Sequence, residues 1–422
     1  YNPSNVHMFV SPAIARTFLT KDSVVLDIGC GDGYIDYLFF SDISKCVEAV
    51  DVSKDAIKFA KKNFKKEFFY NLEVGFSKDN YLFQVNDHPK SPHIFNNNYP
   101  FYTSKSKYMV KHFKKYFEWV NKKFLNKKSK IIEIGSNDGS FLKNLKLKKI
   151  NHLGFEPSKN VANFSRKNYG VKVFNGFFNK SNVKKFKKFK KNTDLICAAN
   201  VICHIPDLKD VIHSIDYLLS RNGVFVFEEP YLGSMFKKVS YDQIYDAHVF
   251  IFSAHSVKTI FKSFGFDLID ARTQNTHGGS MRYVIARSGE RKISNRIKKI
   301  LENEKKLKLN NISSCLKFKK KCEISRKKFV SKINFFKSKG KQIAGYAASA
   351  KSSTVFNYCD IGKDKIDYIA DSTKEKVGKF SPGKHIPIVP ISYFRKNPPD
   401  VAILCSWNHK DEILKKEKFL SF

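Results

Sequence analysis

Apolar residues along this chain fall into short runs that alternate with stretches of helical spacing. The run at 131–134 contains two consecutive isoleucines and is typical of a buried parallel strand. It ends in a turn that contains Gly135 and Gly139, and apolar residues then resume at helical spacing from Phe141. Strand, glycine turn and helix predict the first unit of a Rossmann-like fold, in which a ligand binds at the carboxyl end of the strand.

The alternation continues to about residue 290 and predicts an α/β fold with a doubly wound, mostly parallel sheet. A helix at 106–124 is expected before the sheet, because its apolar positions recur with a helical period. After the first strand, we predict strands at 152–156, 171–174, 193–200, 224–228 and 277–286, and helices at 207–219 and 256–264.

Residues 341–422 begin the pattern again. A strand at 342–346 leads into a turn of small residues and a helix, and strands are expected at 366–371 and 400–404. This predicts a smaller Rossmann-like domain whose turn could hold a phosphate or a nucleotide on backbone amides. The lysine-rich segment 288–338 between the two domains has helical apolar spacing and predicts a long connecting helix or a helical hairpin.

The first glycine turn carries the cofactor signal. It has the sequence G-S-N-D-G and lacks the third glycine of the dinucleotide pattern G-x-G-x-x-G, which favours S-adenosylmethionine (SAM) over a dinucleotide. An acidic residue at the tip of the next strand is expected to bind the ribose hydroxyls. Glu156 stands about twenty residues further on, at the expected position.

A third version of the pattern opens the chain, with Asp27, Gly29 and Gly31 around a turn and Asp51 at the end of a second run. The later strands that would complete the sheet are missing, and a half-sheet buries too little surface to stand alone. These residues form either a second SAM site or a degenerate module packed on its neighbour, and the missing strands favour the second interpretation. The predicted domains are 1–95 (partial module), 96–290 (SAM-binding domain), 291–338 (helical connector) and 339–422 (smaller C-terminal Rossmann-like domain).

Composition narrows the class of protein. A chain of 422 residues predicts two or three domains. The formal charge of +38 indicates either a nucleic-acid partner or a compositional bias with solvated lysine-rich faces. The excess is nearly all lysine and is spread along the whole chain, whereas readers of phosphates and bases usually use arginine. This favours the compositional interpretation.

Cysteines and apolar runs bear on the cellular compartment. The eight cysteines are scattered and form no C-x-x-C pair, so neither a zinc knuckle nor a disulfide framework is indicated. No apolar run is long enough to span a bilayer, and the N-terminus lacks the pattern of a signal peptide. We therefore expect a cytoplasmic protein with no membrane partner.

The segment 242–253 carries the candidate catalytic residues. Tyr245 and His248 would stand beyond the carboxyl end of the fifth strand, where α/β sheets bind substrate. A neutral histidine can remove a proton next to a carbonyl, and a tyrosine can donate a hydrogen bond to the resulting enolate oxygen. Taken alone, a single histidine is more often structural.

A set of short motifs runs through residues 96–422 in a fixed order. The motifs are E-I-G-S-N-D-G (133–139), E-P-S (156–158), A-N-V-I-C-H-I-P-D-L (199–208), F-E-E-P-Y-L (227–232), I-Y-D-A-H-V-F-I-F-S (244–253), H-G-G-S-M-R (277–282), G-Y-A-A-S-A-K (345–351), D-S-T-K-E-K-V-G-K-F-S-P-G-K-H-I-P-I (371–388) and S-W-N-H-K-D-E-I (406–413). In this order they resemble the sugar C-methyltransferase family, which includes the nucleotide-sugar C-3-methyltransferases of deoxysugar pathways. Each motif alone is weak, and the ordered set is specific.

The resemblance implies a SAM-binding central domain and a C-terminal domain that helps to hold a nucleotide sugar. It implies deprotonation beside a keto group of a dTDP-linked sugar, followed by attack of the enolate carbon on the SAM methyl group. His248 would be the general base, with Tyr245, Tyr99 and Tyr102 near the reaction centre. The implied SAM-binding residues are Glu133, Gly135, Ser136, Asn137, Asp138, Gly139, Glu156, Pro157, Asn200 and His204. The candidate substrate-binding residues are Glu228, His277, Gly278, Gly279, Arg282, Tyr346, Lys351 and Asn408.

Three departures from the family pattern affect these expectations. Ala247 stands where the family usually has Glu, and a methyl group cannot tune the base, so we expect reduced activity or a different substrate. The family's N-terminal cysteine-ligated zinc domain is replaced by the partial module, so we predict no metal. Ala347 and Ser349 stand where the family tends to have Gly and Pro, which weakens the prediction of how the nucleotide is held.

Purely structural roles for several of these residues, and other functions for the protein, stay open. The segment 277–280 could be only a tight turn into an edge strand, Lys351 could be solvated, and Trp407 and Asn408 could belong to the core. A SAM-dependent O- or N-methyltransferase acting on another small molecule would need no carbon acid. A basic RNA-binding protein would bind RNA with a steep salt dependence. The absence of a patch of arginines and aromatic residues disfavours this last function.

Overall fold

The computed structural model describes residues 72–417 and, by their backbone alone, three short strands before them. These strands, β1 (Val24–Ile28), β2 (Cys46–Val50) and β3 (Glu67–Phe69), form a parallel sheet in that order. The chain divides into one compact unit of residues 1–74 and 85–89 and a second of residues 75–84 and 90–422. Of the predicted second SAM site, the Asp27 side chain, Gly29, Gly31 and Asp51 lie outside the described residues, as does a helix predicted at 55–64.

The remaining elements alternate between strand and helix over most of their length. The strands are β4 (Val74–Phe76), β5 (Phe83–Val85), β6 (Lys130–Ile134), β7 (Asn151–Glu156), β8 (Val173–Asn175), β9 (Thr193–Ala199), β10 (Leu219–Pro230), β11 (Phe250–Ile251), β12 (Phe266–Gln274), β13 (Ser280–Arg287), β14 (Ile343–Tyr346), β15 (Tyr368–Asp371), β16 (Ile388–Pro390) and β17 (Val401–Leu404). The helices are α1 (Ser91–Ile94), α2 (Lys107–Phe124), α3 (Leu142–Leu147), α4 (Lys159–Tyr169), α5 (Lys180–Val183), α6 (Leu208–Leu218), α7 (Leu232–Lys238), α8 (Ala254–Lys262), α9 (Asn295–Lys306), α10 (Ile312–Ser338), α11 (Ala350–Cys359), α12 (Ile391–Lys396) and α13 (Lys410–Lys416). Short 3-10 turns lie at Thr103–Lys105, Lys187–Phe189, Ile202–His204, Tyr241–Gln243, Thr276–Gly278 and Trp407–His409.

A seven-stranded sheet forms the centre of the second unit, in the order β12-β13-β10-β9-β6-β7-β8. All its neighbouring strands are parallel except β13, which is antiparallel to both β10 and β12. In the sheet, β7 and β8 lie on one side of β6, and β9 and β10 lie on the other side. The strand order therefore reverses beside β6. The predicted α/β, doubly wound class is confirmed. Ligands of such sheets bind at the carboxyl ends of the strands around the reversal.

The antiparallel edge differs from the sequence prediction. The strand predicted from His277 begins at Ser280 instead, because His277 lies in the 3-10 turn with a φ of 51°, in the left-handed region. Strand β12 was not predicted at all. It pairs with β13 along its length and is interrupted by an irregularity between Leu268 and Asp270, which weakens a simple alternating pattern.

Helix α2 covers one face of the central sheet. The Ser106 side chain accepts a hydrogen bond from the Met109 amide and caps the helix N-terminus, so the predicted helix begins one residue later than expected. Its buried face consists of Met109, Phe113, Tyr116, Phe117 and Val120, which pack on core residues of β6, β9 and β10. The buried hydroxyl of Tyr116 donates to the Val226 carbonyl, 2.9 Å away, which fixes the helix against β10.

The C-terminal part has its own sheet of four parallel strands in the order β16-β15-β14-β17. The structure adds β16 to the three strands that we predicted. The lysine-rich connector is a pair of helices, α9 and α10, and the Asn311 side chain caps α10 by accepting from the Ser313 amide. Ile333 of α10 belongs to the same buried cluster as Ile343 and Ile369 of the small sheet. No helix in the described part of the chain is long and apolar enough to cross a membrane.

Candidate active site

A cavity of about 810 Å³ lies at the carboxyl ends of β6, β7 and β9, where the strand order reverses. The glycine turn after β6 and the tip of β7 form one wall. Residues that follow β14 and β17 form the opposite wall, including Ser349, Lys351 and Asn408. The cavity therefore uses side chains from both the central and the C-terminal sheets.

Close packing explains why the glycine turn begins with a glycine, Gly135. Gly135 has a φ of 63°, and a Cβ at this position would overlap the side chain of Val201, which also lines the cavity. Asn137 follows with a φ of 45°, and its amide donates to Glu156 at 2.9 Å. The second oxygen of Glu156 accepts from the Ser158 amide at 2.8 Å. The acid at the tip of β7 thus braces the turn and faces the same cavity.

Three polar atoms of this wall are buried without a hydrogen-bond partner among the described residues. They are Oε2 of Glu133, Oγ of Ser136 and Oδ1 of Asn200. Burial, together with the carboxylates of Asp138 and Glu156, raises the pKa of Glu133 well above its usual value. Buried polar atoms normally have partners, so this set fits a ligand that brings ammonium and hydroxyl groups of its own. SAM carries both.

Other predicted cofactor residues fall into two groups. Pro157 and His204 line the cavity. Asp138 and Gly139 do not, because Asp138 accepts from the Ser104 amide at 2.7 Å and from Ser140, and so holds the neighbouring 3-10 turn. A Cβ on Gly139 would press on the side chains around α4 and not on a ligand.

Tyr245 and His248 form a hydrogen-bonded pair in the cavity wall. The Tyr245 hydroxyl lies 2.5 Å from Nε2 of His248, and Nδ1 of His248 lies 2.9 Å from the Gln243 carbonyl. A carbonyl only accepts, so Nδ1 carries the proton and Nε2 offers its lone pair to the tyrosine hydroxyl. The pair is therefore a neutral imidazole hydrogen-bonded to a phenol, and both residues line the cavity.

The surroundings of His248 favour its neutral form. Burial lowers its pKa well below the usual value, and His204, His277 and Lys351 lower it further, against the Gln243 carbonyl, which raises it. Burial also lowers the pKa of His277 to about 3. A proton acceptor is therefore available at His248 through the physiological pH range.

His204 stands beside this pair, with its ring centroid 5.0 Å from that of His248. Its Nδ1 donates to the Ala247 carbonyl at 2.5 Å, so the backbone of Ala247 orients this second histidine. One ligand atom from each of Cys203, His204 and His248 lies within 4.8 Å of the others, a spacing that admits a metal. Both ring nitrogens of His248 are already hydrogen-bonded and burial raises the pKa of the Cys203 thiol, so these residues fit a metal poorly.

The structure places the two predicted tyrosines before α2 in different surroundings. Tyr99 lines the cavity, and burial, with a contribution from Glu156, raises its pKa to about 12. Tyr102 lies outside the lining, where its hydroxyl accepts from the Asn160 side chain at 3.1 Å and its ring packs against Phe164.

Among the predicted substrate residues, His277, Lys351 and Asn408 line the cavity. Lys351 Nζ lies 3.4 Å from the Asp242 carboxylate and 5.4 Å from the centre of the Trp407 ring. Gly278 and Gly279 lie behind the wall. Added Cβ atoms there would press on Trp407 and Ser234, so neighbouring side chains account for these glycines.

Glu228, Arg282 and Tyr346 require a correction, because the structure does not bring them to the cavity. Arg282 donates to one oxygen of Glu228 at 2.7 and 3.0 Å, and His112 lies 2.8 Å from the other. Despite complete burial, these partners lower the pKa of Glu228 to about 2. The Tyr346 hydroxyl donates to Glu417. All three side chains are occupied by protein partners and are not free for a substrate.

Several residues that line the cavity were not predicted from the sequence. They are Phe95, Phe155, Phe177, Phe178, Gln243, Lys376 and His409. Gln243 adjoins the motif 244–253, and Lys376 and His409 lie within the motifs 371–388 and 406–413, so those motifs could have indicated them. The phenylalanines carried no signal in a chain with 40 of them.

The chain matches known methyltransferases along most of its length. Residues 108–271 match a family model described as a methyltransferase domain, residues 275–421 match the C-methyltransferase C-terminal domain, and residues 19–81 match a further methyltransferase domain. Together with the sheet topology and the cavity, these matches define the protein as a SAM-dependent methyltransferase. The C-methyltransferase NovU of Streptomyces niveus is similar to this chain, with 26% identity over 333 residues, which cover 78% of this chain and 79% of NovU. The predicted resemblance, enzyme class and cofactor are confirmed.

Solved structures with similar folds are more distant. The PH0226 protein from Pyrococcus horikoshii OT3 is 14% identical, and the match covers 45% of this chain and 97% of that one with a TM-score of 0.37. Magnesium protoporphyrin IX methyltransferase from Synechocystis PCC 6803, solved with bound SAH, is also 14% identical, with 42% and 83% coverage and a TM-score of 0.33. Because these scores are low, the fold assignment rests on the strand order described above.

Proposed function

We propose that this protein transfers the methyl group of SAM to a carbon next to the keto group of a nucleotide-linked (dTDP) deoxysugar, through an enolate. The observation that carries the proposal is the hydrogen-bonded Tyr245–His248 pair in the cavity, which has the proton-accepting chemistry that a carbon acid requires. The match to a C-methyltransferase C-terminal domain and the ordered motifs support it.

The glycine-turn wall would hold the cofactor. When bound, SAM supplies an electrophilic methyl group on a sulfonium sulfur. Glu133 would face the ammonium group, and Glu156 would accept from the ribose hydroxyls. Asn200 and Ser136 offer further unpartnered polar atoms. The buried phenylalanines beside them would exclude water from the adenine side.

The Tyr245–His248 pair would take the substrate proton. The C–H bond next to the carbonyl breaks, and its electron pair forms the carbon–carbon double bond of the enolate with the negative charge on oxygen. The proton passes to the Tyr245 oxygen while the tyrosine's own proton passes to Nε2 of His248. This concerted transfer avoids a free tyrosinate, which burial disfavours because it raises the pKa of Tyr245 well above its usual value. The Gln243 carbonyl keeps the ring oriented throughout.

The C-terminal wall would hold the nucleotide diphosphate. Lys351 and Lys376 supply cationic groups there, and His409 adds a further polar side chain. Helix α11, ten residues long, begins at the cavity with Ser349 as its N-cap, so its N-terminal dipole also favours an anion. Phosphate groups are the chemistry that this combination recognises best.

Product analysis tests the proposal directly. The protein is incubated with SAM and a panel of dTDP-linked keto-sugars, and mass spectrometry with NMR identifies which atom gains the methyl group. Methylation of a carbon beside the keto group is expected. A methyl group found on oxygen or nitrogen would replace the proposal with the heteroatom alternative.

The base can be tested without SAM. We expect the wild type to exchange the substrate's acidic C–H for deuterium in heavy water, and His248→Gln to slow this exchange about 10²–10⁴-fold, because the proton acceptor is lost. Tyr245→Phe should slow it as well. His213→Gln, which alters an exposed histidine of α6 away from the cavity, is the matched control and should exchange normally. Unchanged exchange in His248→Gln would remove this residue from the mechanism.

A further inference from the structure

The side chain of Gln243 is buried in the cavity wall without a protein partner. It is 1% exposed, and neither its amide nitrogen Nε2 nor its amide oxygen Oε1 has a hydrogen-bond partner among the described residues. The residue lines the cavity and closes the 3-10 turn Tyr241–Gln243. An unsatisfied buried amide costs free energy, so its survival indicates that a ligand supplies the missing hydrogen bonds.

The backbone around Gln243 is held from three sides. Its carbonyl accepts from Nδ1 of His248. The preceding Asp242 accepts from the Trp407 indole at 2.8 Å and lies 3.4 Å from Lys351. The carbonyl of the following Ile244 accepts from Thr354 of α11 at 3.1 Å. These contacts fix the backbone from which the Gln243 side chain extends before any ligand binds.

The Gln243 side chain lines the same cavity as the proposed acid–base pair, Tyr245 and His248. Its Nε2 lies beside Gly278, where an added Cβ would be 3.5 Å away in ordinary van der Waals contact. The Gln243 carbonyl accepts from His248, so this residue stands directly beside the proposed acid–base pair.

We propose that Nε2 of Gln243 donates a hydrogen bond to the keto oxygen of the acceptor sugar and stabilises the negative charge that develops there. The proposal rests on the proposed function above and adds to it a catalytic residue that neither the sequence motifs nor the comparisons assign. Fixed donors aimed at a developing oxyanion act more strongly in a water-poor cavity than in solution.

Two substitutions separate the donor from the rest of the side chain. Gln243→Glu, measured at a pH at which its carboxyl is ionised, keeps the size and the accepting oxygen but loses the donor. Gln243→Leu loses both polar atoms at every pH. We expect each to lower the rate of SAM-independent deuterium exchange and kcat for methylation about 10²–10³-fold, with KM changed far less. The substrate is the dTDP-linked keto-sugar that the wild type accepts best. Gln274→Leu, in a partly buried glutamine of β12 outside the cavity, is the control and should retain wild-type rates.

SAM binding, measured by calorimetry, should stay within a few-fold of the wild type in both variants and so reports that the fold is intact. Wild-type exchange and turnover in Gln243→Glu would overturn the donor role, even if Gln243→Leu were impaired. Normal rates in both variants would overturn the inference and leave the proposed function standing. A wild type that exchanges no proton on any keto-sugar of the panel would overturn both.

Discussion

Gly135 and Gly170 share a left-handed backbone but differ in their surroundings. Their φ angles are 63° and 59°. A Cβ on Gly135 would overlap Val201 in the cavity wall, whereas one on Gly170, after α4, would only approach a lysine side chain to 3.8 Å. The first glycine is therefore required by close packing beside the ligand, and the second only by the backbone of a helix end.

Alanine at the two positions separates these requirements. Both substitutions should destabilise the fold by about 1–2 kcal/mol, because an L side chain disfavours the left-handed region. Gly135→Ala should in addition displace Val201 and weaken SAM binding about tenfold or more, since overpacking of this kind costs about 1–3 kcal/mol. Denaturant unfolding and calorimetry with SAM measure the two effects. Equal SAM affinities in the two variants would contradict the assignment of the turn to the cofactor.

Glu228 connects three elements of the fold. It lies on β10, pairs with Arg282 of β13, approaches His112 of α2, and accepts from Thr276 of the turn before β13 at 2.9 Å. All three partners converge on a side chain with no solvent exposure. Removing one partner of such a group leaves a buried charge uncompensated.

We expect Glu228→Gln to lower the free energy of unfolding by about 3–5 kcal/mol. The control is Glu290→Gln in the exposed pair with Arg221, which should cost about 0–1 kcal/mol. The pKa of Glu228 is about 2, against an ordinary value of 4.5, so the stabilisation is complete above pH 4.5 and is lost as the pH falls toward 2. The difference between wild type and variant in urea unfolding should shrink over that interval. A difference independent of pH would argue against an ionised Glu228.

At the scale of the whole molecule, the C-terminal sheet completes the active site. Lys351, at the start of α11, reaches the Asp242 carboxylate of the central domain and is one of the groups that lower the pKa of His248. The indole of Trp407 donates to the same carboxylate. The C-terminal domain therefore influences the charge around His248, the proposed base, as well as forming a wall of the cavity.

Lys351→Met should move the acidic limb of activity to higher pH. As the proposed base, His248 would work only when neutral, so its depressed pKa would keep the enzyme active at lower pH, and loss of the cation should raise that pKa. His204 and His277 also face the base, and they remain in place. The measurement is the pH profile of deuterium exchange at saturating substrate. Lys341→Met, in a surface pair with Asp400, is the control and should leave the profile unchanged, and an identical limb in Lys351→Met would contradict the coupling.

The sequence alone was enough for much of the fold and for one wall of the site. The strands β6 to β10, the helices α6 and α8, the glycine turn and the acid at Glu156 follow from local patterns, because periodicity and turn chemistry depend on neighbouring residues. The tip of β7 was expected beside that turn because adjacent parallel strands place their carboxyl ends together. The proximity of Tyr245 to His248 follows from their separation by three residues. The N-terminal half-module remains a prediction.

Only the tertiary structure decided where long-range partners meet. Glu228 and Arg282 both lie in motifs that the family resemblance led us to assign to substrate binding. The register of β10 and β13 instead sets the two residues opposite each other, where their charges pair. Asp138 stands in the glycine turn, but its side chain points to the Ser104 amide. The unpartnered amide of Gln243 and the approach of Lys351 to Asp242 depend on how two sheets come together. No local pattern encodes side-chain direction or the pairing of distant segments, so the sequence determined the strands and turns of this enzyme, and packing determined which of its polar groups remain free to act.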